Sequence, residues 1–227
     1  FVLGPCINAS GRLDTAARSL ALLNAKTKEE AARLAGDLTA LNQSRKALTE
    51  KGKEEAIRII ETTELKNDRV LVVYLPDCHE SLAGIIAGRI REKYHRPAFV
   101  LTGGETSAKG SGRSIESYSM YEELVKCADL MIQFGGHPMA AGLSIEEKNI
   151  EEFRRRLNVN CTLTDEELRP KIVIDVPMPV SYITKELVEQ ISLLEPFGKG
   201  NTKPVFAQKN LRVLDHSILS LIHISEP

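Results

Sequence analysis

Four short stretches of this sequence combine glycine with side chains that can hold an anion. The first, GPCINASGRL at 4–13, places Asn8 and Arg12 among small residues. We predict a loop at 4–11 that leads into a helix at Arg12, because amides at a helix N-terminus and a guanidinium together suit a phosphate. An ordinary loop with a solvated Arg12 is the alternative, and the spacing alone does not separate the two.

The second stretch, PDCHESLAGIIAGR at 76–89, follows a predicted strand and begins a predicted helix. Ligands of open parallel sheets bind at this carboxyl edge, so His79 is a candidate for the crevice. Glu80 or Ser81 is expected to cap the helix. The alternative is a capping turn with a solvated His79, and the residues by themselves favour it.

The third stretch, AKGSGRSIESYS at 108–119, is expected to form a loop after a second strand. Its two glycines let backbone amides approach an oxyanion closely. Ser111 adds a hydroxyl, and the guanidinium of Arg113 can grip a phosphate bidentately. A solvated β-turn is the alternative.

The fourth stretch is MIQFGGHPMAAGLSI at 131–145. Gly135 and Gly136 permit positive φ and leave their amides bare, while His137 can donate a hydrogen bond to a phosphate. The alternative is a tight turn that ends in a structural histidine, and the motif alone slightly favours it.

Other kinds of chemistry are not indicated. The sequence has no carboxylate cluster, no Ser–His–Asp arrangement and no metal-ligand spacing, and its four cysteines form no Cys-x-x-Cys motif. We therefore predict no metal site in this chain and a reduced, cytoplasmic protein. Apolar runs fall short of the roughly 18 residues that span a membrane.

Charge is unevenly distributed along a chain whose net charge is −1. Residues 81–115 hold six Lys/Arg against two Asp/Glu, whereas residues 116–195 hold eight against fifteen. A basic middle beside an acidic flank predicts one anion-facing surface on a neutral protein.

The elements that position these stretches are read from hydrophobic periodicity. Apolar residues at helical spacing predict a helix at 13–24, and Thr27 is a good N-cap for a second helix that runs to residue 62. So long a helix suits a connector between two bodies. A helical hairpin broken near Gly52 is the alternative.

The pattern then changes to strand, helix, strand, which predicts a βαβ unit with parallel strands and a right-handed crossover. Its members are a strand at 68–75, a helix at 81–94 and a strand at 97–102. Five further elements are expected: a helix at 120–131, a strand at 139–145, a helix at 146–157, a strand at 171–178 and a helix at 184–194.

Taken in order, these stretches resemble the RecJ family of single-strand-specific 5′→3′ DNA exonucleases in the DHH phosphoesterase superfamily. GPCINASGR is similar to the family signature G-P-x-I-N-A-x-G-R, and CHESLAGIIAGRIREKYHRPAFVL and KGSGRSIESYSMYEEL are similar to two further segments. FGGHPMAAGLSI resembles the Gly-Gly-His motif of the DHH-associated domain, and LLEPFGKGNTKPVF resembles the entry to the family's OB-fold. The resemblance runs from residue 1 to about residue 213. It departs from the usual pattern at Cys6, Cys78 and Ser117.

The fold that this resemblance implies is α/β with a β-rich end. A long connector helix precedes a DHH-associated α/β domain that contains the βαβ unit, and a truncated OB-fold follows. The expected boundaries are 1–62 for the end of the DHH core and the connector, 63–158 for the DHH-associated domain, 159–217 for the incomplete OB-fold and 218–227 for a non-native tail. With its first methionine at Met120, we expect the chain to be a fragment.

The resemblance also implies an activity and roles for the candidate residues. The family hydrolyses single-stranded DNA from a 5′ end with Mn²⁺ or Mg²⁺, in repair and recombination, and the upstream core holds the ions. In this chain Arg12 would lie near the 5′ phosphate, Ser111 and Arg113 would hold it, and His137 would be the catalytic residue at the scissile site. The DNA-contacting residues would also include Asn8, His79, Gly135 and Gly136.

Several further expectations follow from the family. This chain would supply the DNA-binding wall of the cleft and be inactive alone. It would be a monomer that works on single-stranded DNA, with single-strand-binding protein and a RecQ-type helicase as partners. Two alternatives are a non-catalytic module that binds single-stranded nucleic acid and a DHH phosphodiesterase that acts on small substrates. The OB entry motif argues against the phosphodiesterase.

Overall fold

The structure is a computed structural model that describes residues 2–198 and 200–212. The chain divides into two compact units, unit 1 at residues 1–170 and unit 2 at residues 171–227. Within the described ranges, no helix combines the length and the apolar character that crossing a membrane requires.

Three helices begin unit 1, namely α1 (Leu3–Leu13), α2 (Ala17–Leu23) and α3 (Lys28–Thr62). The start of α3 is as predicted, because Thr27 Oγ1 accepts a hydrogen bond from the Glu30 amide at 3.2 Å. The helix continues through Gly52 without a break. The prediction of one long helix is therefore confirmed, and the broken hairpin does not form.

The predicted loop at 4–11 is wrong, because these residues form most of α1. Ala9 and Ser10 are fully buried, and the Ser10 hydroxyl lies 2.7 Å from that of Ser19 in α2. α1 also packs against α3. This packing outweighs the low helix propensity of the glycines near the two ends of α1.

A five-stranded mixed sheet follows, with the strand order β1-β2-β3-β5-β4. Its members are β1 (Leu71–Leu75), β2 (Ala98–Thr102), β3 (Ala108–Arg113), β4 (Met131–His137) and β5 (Ala140–Ile145). α4 (Glu80–Tyr94) joins β1 to β2, which pair in parallel, so the predicted βαβ unit is confirmed. The other neighbouring strands are antiparallel.

The third stretch is wrong as a loop, because 108–113 forms β3. In the fourth stretch the predicted strand at 139–145 is confirmed as β5, but the glycines before His137 lie in β4 rather than in a turn. In β3 the glycines allow close packing. A Cβ on Gly112 would lie 2.6 Å from both Phe99 Cε1 and Met120 Sδ. Glycine at that position therefore leaves room for two large core side chains.

The two faces of the sheet are covered by different helices. One face packs with α5 (Met120–Val125) and α6 (Ile150–Val159) around a buried cluster, in which the Phe99 and Phe153 rings meet edge to face at 5.4 Å. The other face forms a second buried cluster with α3 and α4. A Cβ on Gly52 would lie 2.6 Å from Ile86 Cδ1, so this glycine lets α4 approach α3 closely.

Unit 1 extends past the domain boundary that we predicted at residue 158. The side chain of Leu163 is buried in the first cluster. Arg69 Nη2, just before β1, lies 2.7 Å from Asp165 Oδ1, which holds the segment after α6 against the start of β1. The compact unit ends at residue 170 for this reason.

Unit 2 has little regular structure in its described residues. β6 (Val176–Pro177) and β7 (Phe206–Ala207) pair in parallel, and α7 (Lys185–Ser192) lies between them in sequence. Thr184 caps α7 as predicted, since its hydroxyl accepts from the Leu187 amide at 3.2 Å. The predicted strand at 171–178 is shorter than expected. Residues 213–217 of the expected OB-fold and the expected tail at 218–227 lie outside the described residues.

Gly136 is the position in the β4–β5 hairpin that requires glycine. Its φ is 154°, which L side chains rarely adopt. A Cβ there would lie 2.6 Å from Ala141 Cα and would collide with the Ala140 carbonyl oxygen. Its neighbour Gly135 is exposed, and a Cβ there would meet nothing within 4 Å.

These two glycines should therefore respond differently to substitution. Gly136→Ala is expected to lower the free energy of unfolding by about 1–3 kcal/mol, because the new Cβ strains the backbone and crowds β5. Gly135→Ala is expected to change it by less than about 0.5 kcal/mol. Urea unfolding followed by circular dichroism measures both values, and equal losses for the two variants would contradict this account of the hairpin.

Candidate functional site

An open groove lies on the α4 side of the sheet, beyond the edge of that helix. α4 contacts β2 and β3, whereas Gly135 of β4 and Gly142 of β5 are exposed. The groove has a volume of about 520 Å³, and its lining comprises Glu80, Ser81, Ala83, Lys109, Gly110, Ser111, Gln133, Phe134, Gly135, Gly142, Leu143 and Ser144. Small residues form much of its floor, so an extended ligand can approach the backbone closely.

Strand register brings the third and fourth stretches together on this face. Arg113 pairs with Ala140, which pairs with His137 on the other side. Ser111 is two residues from Arg113 on β3, so the two side chains project from the same face. Because neighbouring strands lie about 4.8 Å apart, the backbones of Arg113 and His137 are roughly 10 Å apart across β5.

Arg113 is half-buried beside α4. A Cβ on Gly84 would lie 2.7 Å from Arg113 Nη2 and 2.9 Å from Ser111 Oγ, so the guanidinium occupies the space that this glycine leaves. Arg113 Nη1 donates to Ser111 Oγ at 3.2 Å and to the Gly112 carbonyl at 2.7 Å. Ser111 Oγ accepts this bond and keeps its own hydrogen for a ligand.

The electrostatic environment of Arg113 is unfavourable to its charge. Burial lowers the pKa of its guanidinium, and the nearby charges of Arg12 and Arg91 lower that pKa further. In the part of the chain that the structure describes, Arg113 forms no ion pair with a carboxylate. A bound anion would offset both costs.

Arg12 in the last turn of α1 and Asn8 one turn before it lie next to the groove. Arg12 Nη1 donates to the Ser81 carbonyl at 2.7 Å, which ties α1 to the first turn of α4. Both residues are exposed and line a shallow cavity of about 510 Å³ that also touches Ser81. Since Ser81 lines the main groove as well, the two depressions adjoin.

His137 lies exposed at the end of β4. Its Nδ1 accepts a hydrogen bond from the Met139 amide at 3.2 Å. In the neutral ring the proton must then be on Nε2, which makes Nε2 a donor. The ring is therefore held by its own hairpin with one nitrogen able to meet an anion.

His79 is not brought together with the other candidates. It is the N-cap of α4, and its Nδ1 accepts from the Ser81 amide at 3.3 Å, so the expected cap at Glu80 or Ser81 is wrong. The ring lines a separate cavity of about 540 Å³ between α3 and the β1–α4 turn. The capping alternative describes its observed position. Gly136 likewise serves the hairpin, because it pairs with Ala141 on the opposite face from the groove.

Sequence reasoning missed several residues of the groove. Gly84 leaves the space that the Arg113 guanidinium occupies, and Gly142 lies exposed in the groove lining. The ion pair between Lys109 Nζ and Glu80 Oε2 at 2.6 Å was also not foreseen. The alternation of polar residues at 109, 111 and 113 with small residues between them was the available signal for a strand. The pairing of Gly142 with Ser111 depends on long-range register, which no local pattern specifies.

The groove does not suit a divalent metal ion. Among the described residues no group of three or more His, Cys, Asp or Glu side chains is arranged to hold one. The one carboxylate in the groove lining, Glu80, is paired with Lys109, whereas Mg²⁺ and Mn²⁺ prefer several oxygen ligands. The candidate residues around the groove otherwise offer guanidiniums, a hydroxyl and an imidazole. This donor set favours an anionic ligand.

Comparison with known proteins gives the domain order that the sequence predicts. A DHHA1 domain matches residues 67–161 and a RecJ OB domain matches residues 174–224. The chain is 36% identical to the single-stranded-DNA-specific exonuclease RecJ of Salmonella typhimurium, over 99% of this chain and 40% of the relative. It is also 36% identical to the Bacillus subtilis protein of the same name, over 90% of this chain and 26% of the relative.

The fold has a matching solved structure. The crystal structure of RecJ from Thermus thermophilus in complex with Mg²⁺ superposes with a TM-score of 0.75 at 30% identity, covering 89% of this chain and 31% of that one. The chain thus spans 40% or less of the length of these relatives. The predicted succession of a DHH-associated α/β domain and an OB-fold is confirmed, and the chain belongs to the RecJ family.

Proposed function

We propose that this chain is part of a 5′→3′ exonuclease that hydrolyses single-stranded DNA, and that its groove binds the 5′ phosphate. The observation that carries this proposal is the half-buried Arg113 guanidinium, which lies beside Ser111 and next to Gly84 of α4. A guanidinium and a hydroxyl together match the oxygens of a terminal phosphate.

The proposed contacts follow from the donors that the site leaves available. Arg113 presents its fork to two phosphate oxygens, and the Ser111 hydroxyl donates to a third. Arg12, one turn of α1 from Asn8, adds positive charge at the adjoining end of the groove. Gly135 keeps the floor open, so the strand can lie against β4 and β5.

His137 is proposed to contact the scissile phosphodiester. It projects from the same sheet face as Arg113, roughly two strand spacings away. The terminal phosphate and the next phosphodiester could therefore be held at the same time. Its Nε2–H would donate to a non-bridging oxygen or to the leaving group, and the Met139 amide would keep the ring in this tautomer.

Divalent ions are part of this proposal but not of this groove. Bound Mn²⁺ or Mg²⁺ would activate water and offset developing charge. We propose that the DHH core of the whole enzyme holds them, because the donor set of this groove does not suit them. The contribution of this chain is then to bind and orient the DNA.

The wider setting is proposed from family membership. The RecJ OB domain would bind the single strand further along by base stacking and backbone contacts. Single-strand-binding protein and a RecQ-type helicase are the proposed partners of a monomeric enzyme. All four cysteines are free thiols, which agrees with a reducing, cytoplasmic location.

The phosphate assignment predicts a specific binding defect. Arg113→Ala should weaken binding of a 5′-phosphorylated dinucleotide by roughly 10- to 100-fold, since it removes charge-assisted hydrogen bonds. The affinity for the 5′-hydroxyl dinucleotide should fall much less. Isothermal titration of both probes measures the ratio. Arg155→Ala is the matched control, because Arg155 is exposed on α6 and paired with Glu152 at 2.7 Å. An unchanged ratio in Arg113→Ala would show that the phosphate binds elsewhere.

A second prediction concerns catalysis by the chain alone. We expect the purified chain to bind single-stranded DNA without digesting it in the presence of Mn²⁺, because hydrolysis needs ions that its groove does not hold. Gel analysis of a 5′-labelled oligonucleotide tests this. Manganese-dependent digestion by the wild-type chain that is lost in His137→Ala would contradict the proposal that this chain binds DNA but does not hold the catalytic ions.

A further inference from the structure

Arg91 lies on the same side of α4 as the space that holds the Arg113 guanidinium. Seven residues, or about two helical turns, separate it from Gly84. This side of the helix faces β3, as the Glu80–Lys109 pair and the Gly84–Arg113 contact show. Arg91 therefore continues the row of residues that borders β3.

The hydrogen-bonding capacity of Arg91 is unused. Its Nε is buried and has no hydrogen-bond partner among the described residues. Its Nη2 lies 3.6 Å from Glu92 Oε1, which is longer than a charge-assisted hydrogen bond. The other oxygen of Glu92 already accepts from Arg89 Nη1 at 3.0 Å. Arg91 is thus only weakly neutralised.

Gly88 carries no side chain and lies one helical turn before Arg91. A Cβ at this position would meet nothing within 4 Å. Helical side chains lean towards the N-terminus of their helix, so the Arg91 side chain extends over the turn that contains Gly88. That turn is about 6 Å further along the axis than Gly84, where the Arg113 guanidinium lies.

Arg12 and Arg91 both lie close enough to Arg113 for their charges to act on it. Both charges lower the pKa of Arg113, after the larger effect of burial. Like charges that are held together in a folded protein disfavour each other unless an anion lies between them. A terminal phosphate carries up to two negative charges, which a single guanidinium does not balance.

We propose that Arg91 is a third phosphate-binding arginine of the groove, which grips the terminal 5′ phosphate from the α4 side together with Arg113. This inference rests on the proposed function and names a residue that sets the selectivity of the groove for a 5′-phosphorylated end. Arg113 and Ser111 hold the phosphate from the sheet, and Arg91 adds a further positive charge from the α4 side. The site then discriminates a 5′-phosphorylated end from a 5′-hydroxyl end more strongly than Arg113 does alone.

The test compares the affinities of 5′-phosphorylated and 5′-hydroxyl dinucleotides in isothermal titration of the full chain. Arg91→Gln keeps most of the side-chain stem and removes the charge. It should reduce the ratio of the two affinities by roughly tenfold. Arg91→Lys keeps the charge but loses the planar fork and should give an intermediate ratio. The control Arg155→Ala should leave the ratio at the wild-type value.

The outcomes separate this inference from the function on which it rests. If Arg113→Ala lowers the ratio and Arg91→Gln does not, the phosphate site stands and the role of Arg91 is refuted. If neither lowers it, the phosphate site itself is wrong. Equal weakening of both probes by Arg91→Gln would mean a diffuse charge effect and would also refute the role. The unfolding temperature of Arg91→Gln should match that of the wild type. If it is lower, the ratio of affinities is measured in Arg91→Lys instead.

Discussion

The close contact between Arg113 and the backbone of α4 at Gly84 is the interaction on which the site depends. Without a side chain at Gly84, the guanidinium lies beside the helix and next to Ser111 Oγ. A methyl group there would displace both functional groups. The βαβ unit keeps α4 at this distance, because α4 packs on β2 and β3 and against α3. Core packing thus determines where the charge lies.

One face of the sheet is covered by α5 and α6, whereas the other is covered by α3 and α4 over only part of its width. Gly112 lets Phe99 and Met120 close the core beneath β3, while Ser111 and Arg113 project to the other side. Past the edge of α4, exposed Gly135 and Gly142 leave the backbone of β4 and β5 accessible. The same three antiparallel strands therefore support the core and present the ligand groove.

Strong periodicity makes some elements predictable from the sequence. The 3.6-residue stripe of α3 and its Thr27 cap indicate both the start and the unusual length of that helix. The βαβ unit is equally clear, because apolar runs flank a helical pattern. The glycine-containing stretches are harder, since glycine is typical of turns as well as of tightly packed strands. At Gly110, Gly112 and Gly136 close neighbours in the sheet and core explain the small residue, and a local pattern does not contain those neighbours.

The candidate residues form a single site only in part. Ser111, Arg113 and Gly135 meet in or at the groove and Arg12 adjoins it, while His79 caps a helix in a different cavity. A sequence pattern reports residue type but not which side of an element it faces. Arg91 escapes sequence reasoning for the same reason, since its relation to Arg113 depends on the packing of α4 on β3.

The most direct test of the central claim is a crystal structure of this chain with a 5′-phosphorylated dinucleotide. The account predicts the terminal phosphate beside Gly84, with its oxygens about 2.7–3.0 Å from Ser111 Oγ and the Arg113 guanidinium nitrogens. It also predicts the internucleotide phosphodiester on the His137 side of the groove. A phosphate bound instead in the cavity lined by His79 and α3, without contact to Ser111 or Arg113, would contradict the account.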